Sequence, residues 1–184
     1  TCHFDARALV EWLHVCGALR SRPPLPRQMM VPKFVLALLL LLGAATATNP
    51  EGQKFLEEKA KEEGVVTLPS GLLYKVLKKG EGKHHPTKDS PCDCHYRGTL
   101  IDGTEFDSSY KRGQPTTFAP KQVIKGWTEA MQLMVEGDKW EMYIPSDLAY
   151  GDRGAGGKIP GGAALVFEME IIKIKGDKVP KEDL

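Results

Sequence analysis

The sequence predicts an α+β domain in which an antiparallel sheet covers one short helix. Several segments alternate apolar and polar residues with a period of two, and one short segment has helical periodicity. Helical segments do not alternate regularly with the strands, as the crossovers of a parallel sheet would require. These observations together favour antiparallel pairing and a sheet packed on a helix.

Composition narrows the class of protein further. The chain has 184 residues, of which 41% are hydrophobic, and 25 Lys and Arg residues nearly balance 24 Asp and Glu residues. A chain of this length can bury its own core without disulfides or a structural metal. The charge balance, with no long basic run, argues against a general nucleic-acid or membrane-surface binder, so we expect no nucleic-acid partner.

Residues 1–29 lack sustained periodicity, and we interpret them as an upstream segment that is not native to the protein. The alternative is a real extension, because Leu9, Leu13 and Cys16 could share one face of a helix.

Residues 30–47 have the layout of a secretory signal peptide. Basic Lys33 precedes an apolar run of nine residues from Phe34 to Leu42, and small residues Ala45 and Ala47 follow. The run is shorter than the ~20 residues that span a bilayer, so an uncleaved anchor is the weaker alternative. Cleavage after Ala47 would leave 137 residues with a formal charge of −2 and no stable membrane anchor.

Residues 48–67 are predicted to form a helix and a linker. Asn49 is a helix cap, Pro50 suits the first helical position, and Gly64 ends the pattern after Glu63. The apolar stripe is thin, so the helix is expected to lie on the domain or to pair weakly with another chain; it comprises Phe55, Leu56 and Ala60.

From Leu68 onward, apolar and polar residues alternate with a period of two, which is typical of β-strands. A short helix is predicted where Trp127, Ala130, Met131 and Met134 recur at helical spacing before Gly137. The predicted strands are Leu72–Leu77, Cys92–Leu100, Thr116–Phe118, Lys139–Ile144 and Ala164–Ile174.

Cys92 and Cys94 are the cysteines of the predicted mature chain. A C-x-C pair does not supply the four ligands of a structural zinc site. Because Cys92, Cys94 and Tyr96 share one face of a strand, we expect both cysteines to be core residues. Redox activity is the alternative.

Six motifs resemble those of the FKBP-type peptidyl-prolyl cis-trans isomerases, in order and spacing, over about residues 68–175. The region from Glu51 to Leu77 resembles the macrophage-infectivity-potentiator branch of secreted and organelle-lumen proteins. The motifs are the runs 94–98, 102–109, 122–127, 144–151, 159–160 and 165–167.

The resemblance implies a half-barrel sheet wrapped around one short helix, and an enzyme that isomerises X-Pro bonds during the folding of secretory-pathway proteins. Such an enzyme needs an apolar pocket that favours the twisted amide, without covalent catalysis, cofactor or metal. A non-catalytic chaperone or binding module using the same pocket is the alternative function.

The resemblance also assigns site residues. The expected catalytic residues are Tyr96, Phe106, Asp107, Trp127, Tyr150 and Phe167. The expected substrate-binding residues are Arg112, Val123, Ile124 and Ile159. Trp127 would form the pocket floor, and Asp107 would hold Tyr96 and Arg112. The Tyr150 hydroxyl and the Ile124 N–H would be donors to a substrate carbonyl.

The implied partners are proline-containing segments of folding proteins and macrolides such as tacrolimus and rapamycin. Three residues depart from the pattern of the small cytosolic members of the family: Thr116, Ala155 and Lys158. These departures bear on the affinity for macrolides and on the preference for the residue before proline.

Two further segments are assigned as loops. The glycine-rich run from Gly151 to Gly162 lacks the Gly-Lys-Ser/Thr of a phosphate-binding loop and fits a mobile hairpin flap over the pocket. The segment from His84 to Pro86 is expected to be a loop and not a metal site.

Residues 176–184 are predicted to be a C-terminal tail. Its last four residues, Lys181 to Leu184, resemble the retrieval signal Lys-Asp-Glu-Leu with its two acids exchanged. The prediction is therefore residence in the lumen of the endoplasmic reticulum. Export and a merely charged, frayed terminus are the alternatives.

Overall fold

A computed structural model of the chain describes residues 48–181. The predicted upstream segment (1–29), the predicted signal peptide (30–47) and the last three residues of the tail lie outside this range. None of the helices within 48–181 has the length and apolar character needed to cross a membrane.

Seven strands form the main antiparallel sheet, in agreement with the predicted fold class. Six of them follow the spatial order β1-β2-β7-β8-β4-β5, and β6 pairs with β4 beside this path. The strands are β1 Val65–Thr67, β2 Leu73–Lys78, β4 Cys92–Leu100, β5 Glu105–Ser108, β6 Thr116–Phe118, β7 Lys139–Ile144 and β8 Leu165–Ile174.

Strand β4 organises the sheet. One edge pairs along its length with β8, from Cys92 opposite Ile174 to Leu100 opposite Leu165. The other edge is shared by β6 near Cys92 and by β5 near the far end of the strand. Tyr96 lies between these two pairings, where its backbone N–H donates to Ser109 Oγ at 2.8 Å and its carbonyl oxygen accepts from Ser109 Oγ at 3.2 Å.

Helix α3 (Lys125–Leu133) supplies the predicted apolar stripe. A Cβ on Gly126 would lie 2.7 Å from Ile144 Cγ2, so a residue without a side chain allows the helix to approach β7 closely. The core between helix and sheet includes Trp127, Ala130, Met131, Met142, Ile144, Leu165, Phe167, Met169 and Ile171.

Helix α1 (Pro50–Lys59) begins as predicted, with the Asn49 side chain accepting a hydrogen bond from Gly52 N at 2.7 Å. It lies on the domain, because the Phe55 ring contacts Tyr143 edge-on at 5.9 Å between centroids. The helix ends before the predicted Glu63. After Lys59 the backbone tightens into i→i−3 hydrogen bonds, since the charged residues that follow have no apolar surface to cover.

Two loop and linker predictions were wrong. The predicted linker contains β1, which pairs with β2 and extends the main sheet ahead of residue 68. The predicted loop at His84 and the first part of the predicted tail form a separate two-stranded sheet, β3 (His84–Pro86) with β9 (Lys178–Pro180). These strands are three residues long, too short for alternation to be visible in the sequence. The remaining helix, α2 (Ser109–Arg112), is a single turn.

Cys92 and Cys94 are both free and fully buried, as predicted for core residues. Burial, with smaller effects of the Asp93 and Glu136 charges, raises the pKa of Cys92 to about 11. Burial also raises the pKa of Cys94. A buried thiol with a raised pKa is a poor nucleophile, so the environment favours a packing role over a redox role.

This burial predicts how the thiols react. In a Cys2→Ser/Cys16→Ser variant of the full chain, we expect DTNB to label no thiol in the native protein. Both remaining thiols should react after unfolding in guanidinium chloride, because unfolding restores access and an ordinary pKa. Stoichiometric labelling of the native variant would contradict the buried positions of Cys92 and Cys94.

Candidate active site

A cavity of about 430 Å³ opens between the sheet and the N-terminal end of α3. This volume lies in the range of small-molecule and peptide side-chain pockets. Its lining is mainly aromatic and aliphatic, with few polar groups; it comprises Tyr96, Phe106, Asp107, Phe118, Gln122, Val123, Ile124, Trp127, Tyr150 and Phe167.

Every layer of the fold contributes to this lining. Tyr96 and Phe167 project from the neighbouring strands β4 and β8, and Phe118 comes from β6. Trp127 lies in the first turn of α3. Tyr150 lies in the loop between β7 and β8, so the pocket is completed by segments that are distant in sequence.

Trp127 forms the floor and is only 5% exposed. Its ring meets Phe167 at 4.8 Å and Tyr96 at 5.0 Å, both edge-on, and Phe118 at 5.3 Å between centroids. Edge-to-face contacts at these distances are the favoured geometry of aromatic pairs. Trp127 Nε1 has no hydrogen-bond partner within residues 48–181, so replacing this side chain breaks no hydrogen bond there.

Gly98 lets two wall aromatics come together. Phe106 and Phe167 meet edge-on at 5.5 Å, and Gly98 lies between them on β4. A Cβ on Gly98 would lie 2.6 Å from atoms of both rings, which is closer than any side chain could accept. The absent side chain therefore sets the width of the pocket on this side.

A charged network lies at the rim. The Tyr96 hydroxyl donates to Asp107 at 2.6 Å and accepts from Arg112 Nη2 at 2.7 Å, and Arg112 Nη1 donates to Asp107 at 2.5 Å. Partial burial would raise the pKa of Asp107, but the hydrogen bonds from Tyr96 and Arg112 outweigh it and hold the pKa below its ordinary value. Asp107 is therefore ionised at neutral pH.

Besides the buried Trp127 Nε1, two donors at the pocket lack a partner in the described part of the chain. Within residues 48–181, neither the Tyr150 hydroxyl nor the Ile124 N–H has a hydrogen-bond partner. Burial, and then the charge of Asp107, raises the pKa of Tyr150, so its hydroxyl keeps its proton at neutral pH. In the same part of the chain, no group of three or more His, Cys, Asp or Glu side chains could hold a metal ion.

The structure brings most of the predicted site residues to this cavity. Ile159 is an exception, because it is buried in the core cluster, 8% exposed, and does not line the cavity. Arg112 does not line the cavity either, but it is bonded to Asp107 and Tyr96, which do.

Phe118 and Gln122 line the cavity and were not predicted as site residues. Phe118 closes the predicted short strand β6, which pairs with β4 beside Tyr96, and this adjacency could have indicated its position. Gln122 follows in a 3-10 turn, and its side chain accepts from Ala119 N at 2.9 Å.

The lowered pKa of Asp107 predicts a pH dependence of stability. A depressed carboxyl pKa stabilises the folded chain above the unfolded-state value, around 3.9, and this contribution is lost as the pH falls through the folded-state pKa. We expect Asp107→Asn to destabilise the protein near neutral pH by at most about 1 kcal/mol, because solvent screens this half-exposed group.

Urea unfolding followed by tryptophan fluorescence measures the difference between Asp107→Asn and the parent. The difference should shrink in acid, near pH 3, where the carboxyl is largely protonated in the unfolded chain. Asp152→Asn is the control for removing one exposed carboxylate, from the 3-10 turn that follows Tyr150. A difference that is the same at both pH values would assign the effect of Asp107 to packing and not to its charge.

Comparisons with known proteins agree with this geometry. Residues 82–172 match the family described as FKBP-type peptidyl-prolyl cis-trans isomerase. Residues 43–76 match the domain described as amino terminal to FKBP-type peptidyl-prolyl isomerase. The two matches together include α1, α3, all ten residues that line the cavity and most of the main sheet, without the segment between them and the last two residues of β8.

Two curated relatives are similar over about two thirds of the chain. The macrophage infectivity potentiator of Trypanosoma cruzi is 55% identical over 124 residues, which is 67% of this chain and 63% of that protein. The FKBP-type 22 kDa peptidyl-prolyl cis-trans isomerase of Escherichia coli is 52% identical over 128 residues, which is 70% of this chain and 62% of that protein. The chain thus spans less than two thirds of either relative.

Solved structures extend the similarity to the fold. FkpA from Escherichia coli superimposes with a TM-score of 0.65 at 42% identity, over 68% of this chain and 58% of that chain. A peptidyl-prolyl cis-trans isomerase from Pseudomonas syringae superimposes with a TM-score of 0.64 at 39% identity, over 68% of this chain and 92% of that one. The chain therefore belongs to the FKBP-type peptidyl-prolyl cis-trans isomerase family.

Proposed function

We propose that this chain accelerates the cis–trans isomerisation of X-Pro bonds in proteins that fold in the secretory pathway. The observation that carries the proposal is the aromatic cavity with two unpaired donors at its edge, Tyr150 and Ile124. The catalytic and substrate-binding roles of the lining residues are part of the proposal.

The chemistry requires little more than a suitable environment. Rotation about the amide bond crosses a barrier of roughly 18–20 kcal/mol, because the amide loses its resonance when it is twisted. The loss of resonance reduces the charge separation of the amide, so an apolar site favours the twisted form over the planar one. The ring of the substrate proline would rest on Trp127, between Tyr96 and Phe167.

The unpaired donors would hold the substrate while its bond rotates. The Tyr150 hydroxyl and the Ile124 N–H lie at the same cavity and can donate to carbonyls of the bound segment. Fixing the chain on one side of the proline while the other side rotates lowers the entropic cost of reaching the twisted state. Asp107, held by Tyr96 and Arg112, would present a fixed negative charge at the rim.

The proposed partners are proline-containing segments of unfolded proteins, together with macrolides such as tacrolimus and rapamycin. Lys158 bears on the fit of these ligands, because its Nζ lies 3.4 Å from the carbonyl oxygen of Phe106 and places a cation at the rim of the cavity. Thr116 accepts a hydrogen bond from Arg112 at 3.3 Å and does not itself line the cavity, whereas the small cytosolic members of the family have a wall aromatic at this position. We propose that both residues, with Ala155, tune the fit of bulky ligands.

The cavity predicts the effect of two substitutions on activity. We expect Phe106→Ala and Trp127→Leu each to lower kcat/KM for an X-Pro peptide at least tenfold, an order-of-magnitude estimate for removing aromatic surface from the reacting amide. Exchange NMR or a protease-coupled assay measures the rate. Tyr110→Ala is the matched control, because Tyr110 is an exposed aromatic on the other face of the sheet, stacked on His95.

The same variants distinguish the proposed isomerase function from the alternative, a non-catalytic chaperone. Activity that is absent in the parent, or unchanged in both cavity variants, would contradict the proposal. Suppression of aggregation that persists in Phe106→Ala and Trp127→Leu after isomerase activity is lost would identify a separate holding function. Loss of both activities together would assign them to one cavity.

We also propose the endoplasmic reticulum lumen as the site of action, on the sequence features of residues 30–47 and of the last four residues. In a secreting eukaryotic host, N-terminal sequencing of the product should begin at Thr48. Deletion of Lys181 to Leu184 should move the product from the cells to the medium, because the receptor reads the terminal residues. An intact N-terminus, or equal retention with and without the tail, would contradict this location.

A further inference from the structure

The segment that precedes α1 is bound to two loops at the pocket. Thr48 is only 3% exposed, and its hydroxyl accepts a hydrogen bond from Ser146 N at 2.9 Å. The same hydroxyl lies 3.1 Å from Ser146 Oγ and donates to Asp147 Oδ1 at 3.3 Å. One buried hydroxyl therefore joins three polar atoms of the loop that follows β7.

This loop carries Tyr150. It starts with a single 3-10 turn, Ser146–Leu148, in which Ala149 N donates to Ser146 O at 2.9 Å. Tyr150 follows after Ala149 and is 39% exposed, so its own packing fixes its position only in part. The position of the Tyr150 hydroxyl therefore depends on how firmly the turn is held at Ser146.

Asn49 holds the opposite end of the same region. Its N–H donates to Gly162 O at 2.8 Å, and Gly162 N donates to Gly151 O at 2.9 Å. Gly151 comes directly after Tyr150, and Gly162 closes the hairpin that begins there. The two consecutive residues Thr48 and Asn49 thus fix the chain on both sides of Tyr150.

Helix α1 in turn fixes Thr48. Gln53 Nε2 donates to Thr48 O at 2.7 Å. A Cβ on Gly52 would lie 2.9 Å from Thr48 Cγ2 and 3.0 Å from Ala164 Cβ, so the helix, Thr48 and the start of β8 are packed without free space. Thr48 is a rigid point of attachment and not the end of a loose arm.

We infer that Thr48 is a positioning residue for Tyr150: its buried hydroxyl holds the loop so that the Tyr150 hydroxyl is ready to donate to the substrate. The inference rests on the proposed isomerase function, and it adds to that function a residue that does not line the pocket. If Thr48 positions Tyr150, the exact site of signal-peptide cleavage matters for activity. Cleavage after Ala47 keeps Thr48, whereas cleavage one residue later removes the hydroxyl.

Kinetics in the full chain test the inference. Thr48→Val removes the hydroxyl at nearly constant shape and should lower kcat/KM about fivefold, as expected for one lost positioning hydrogen bond. Thr48→Ser keeps the hydroxyl and should stay within about twofold of the parent. In a Tyr150→Phe background, Thr48→Val should have no further effect on kcat/KM, because there is no hydroxyl left to position. An equal loss with and without the Tyr150 hydroxyl would overturn the inference.

NMR of ring-labelled tyrosine gives a readout that does not depend on activity. Thr48→Val should shift or broaden the Tyr150 signals and leave those of Tyr110 unchanged, and Thr48→Ser should leave both unchanged. An unchanged Tyr150 signal in Thr48→Val would overturn the inference even if the enzyme is active. If the parent is inactive, the proposed function fails, while the NMR result still decides whether Thr48 positions Tyr150.

Asp147→Ala is the second variant, in case Thr48→Val does not fold. Asp147 is exposed, so its removal leaves the core intact but takes away the acceptor of the Thr48 hydroxyl. It should change the Tyr150 signals in the same direction as Thr48→Val, with a smaller loss of kcat/KM. No change in either measurement would count against the loop attachment.

Discussion

The structure depends on one mismatch of size: a nine-residue helix must cover the apolar inner face of a seven-stranded sheet. A helix of this length spans about 13 Å, less than the breadth of several strands spaced about 4.8 Å apart. The helix buries the middle of that face, and the aromatic side chains beyond its N-terminal end have no second layer above them. The cavity is this uncovered remainder, lined by Phe167, Tyr96 and Phe106 around Trp127.

Apart from the buried indole N–H of Trp127, the polar groups of this cavity lie at its boundary and not at its floor. Arg112 and Tyr96 satisfy Asp107, so this carboxylate at the cavity is held by partners of its own. The Tyr150 hydroxyl and the Ile124 N–H lie at the edge and have no hydrogen-bond partner within residues 48–181. Such a division would suit the proposed isomerisation, in which charge separation decreases, because an apolar floor and a few donors at the edge would act on different parts of one substrate.

Much of the fold could be predicted from the sequence, because hydrophobic periodicity indicates which face of a strand or helix is buried. Strands β4, β6 and β7 have their predicted bounds, and α3 carries its predicted stripe. The pairing of His84–Pro86 with Lys178–Pro180 could not be predicted, since the two strands are too short and too distant in sequence to leave a pattern. The position of Phe118 in the cavity wall and the contacts of Thr48 with the Tyr150 loop were not predicted, for a related reason. Each depends on a neighbour that only the tertiary structure supplies.

The contact between Thr48 and Ser146 joins positions 98 residues apart. During synthesis, Thr48 leaves the ribosome long before its partner exists, and at about 5–20 residues per second the wait is several seconds or more. Local elements such as α1 can form in that interval, but this attachment is among the contacts that must wait for most of the domain. The loop of Tyr150 is therefore fastened late, so a nascent chain stalled before Ser146 would hold part of the aromatic wall without the finished pocket.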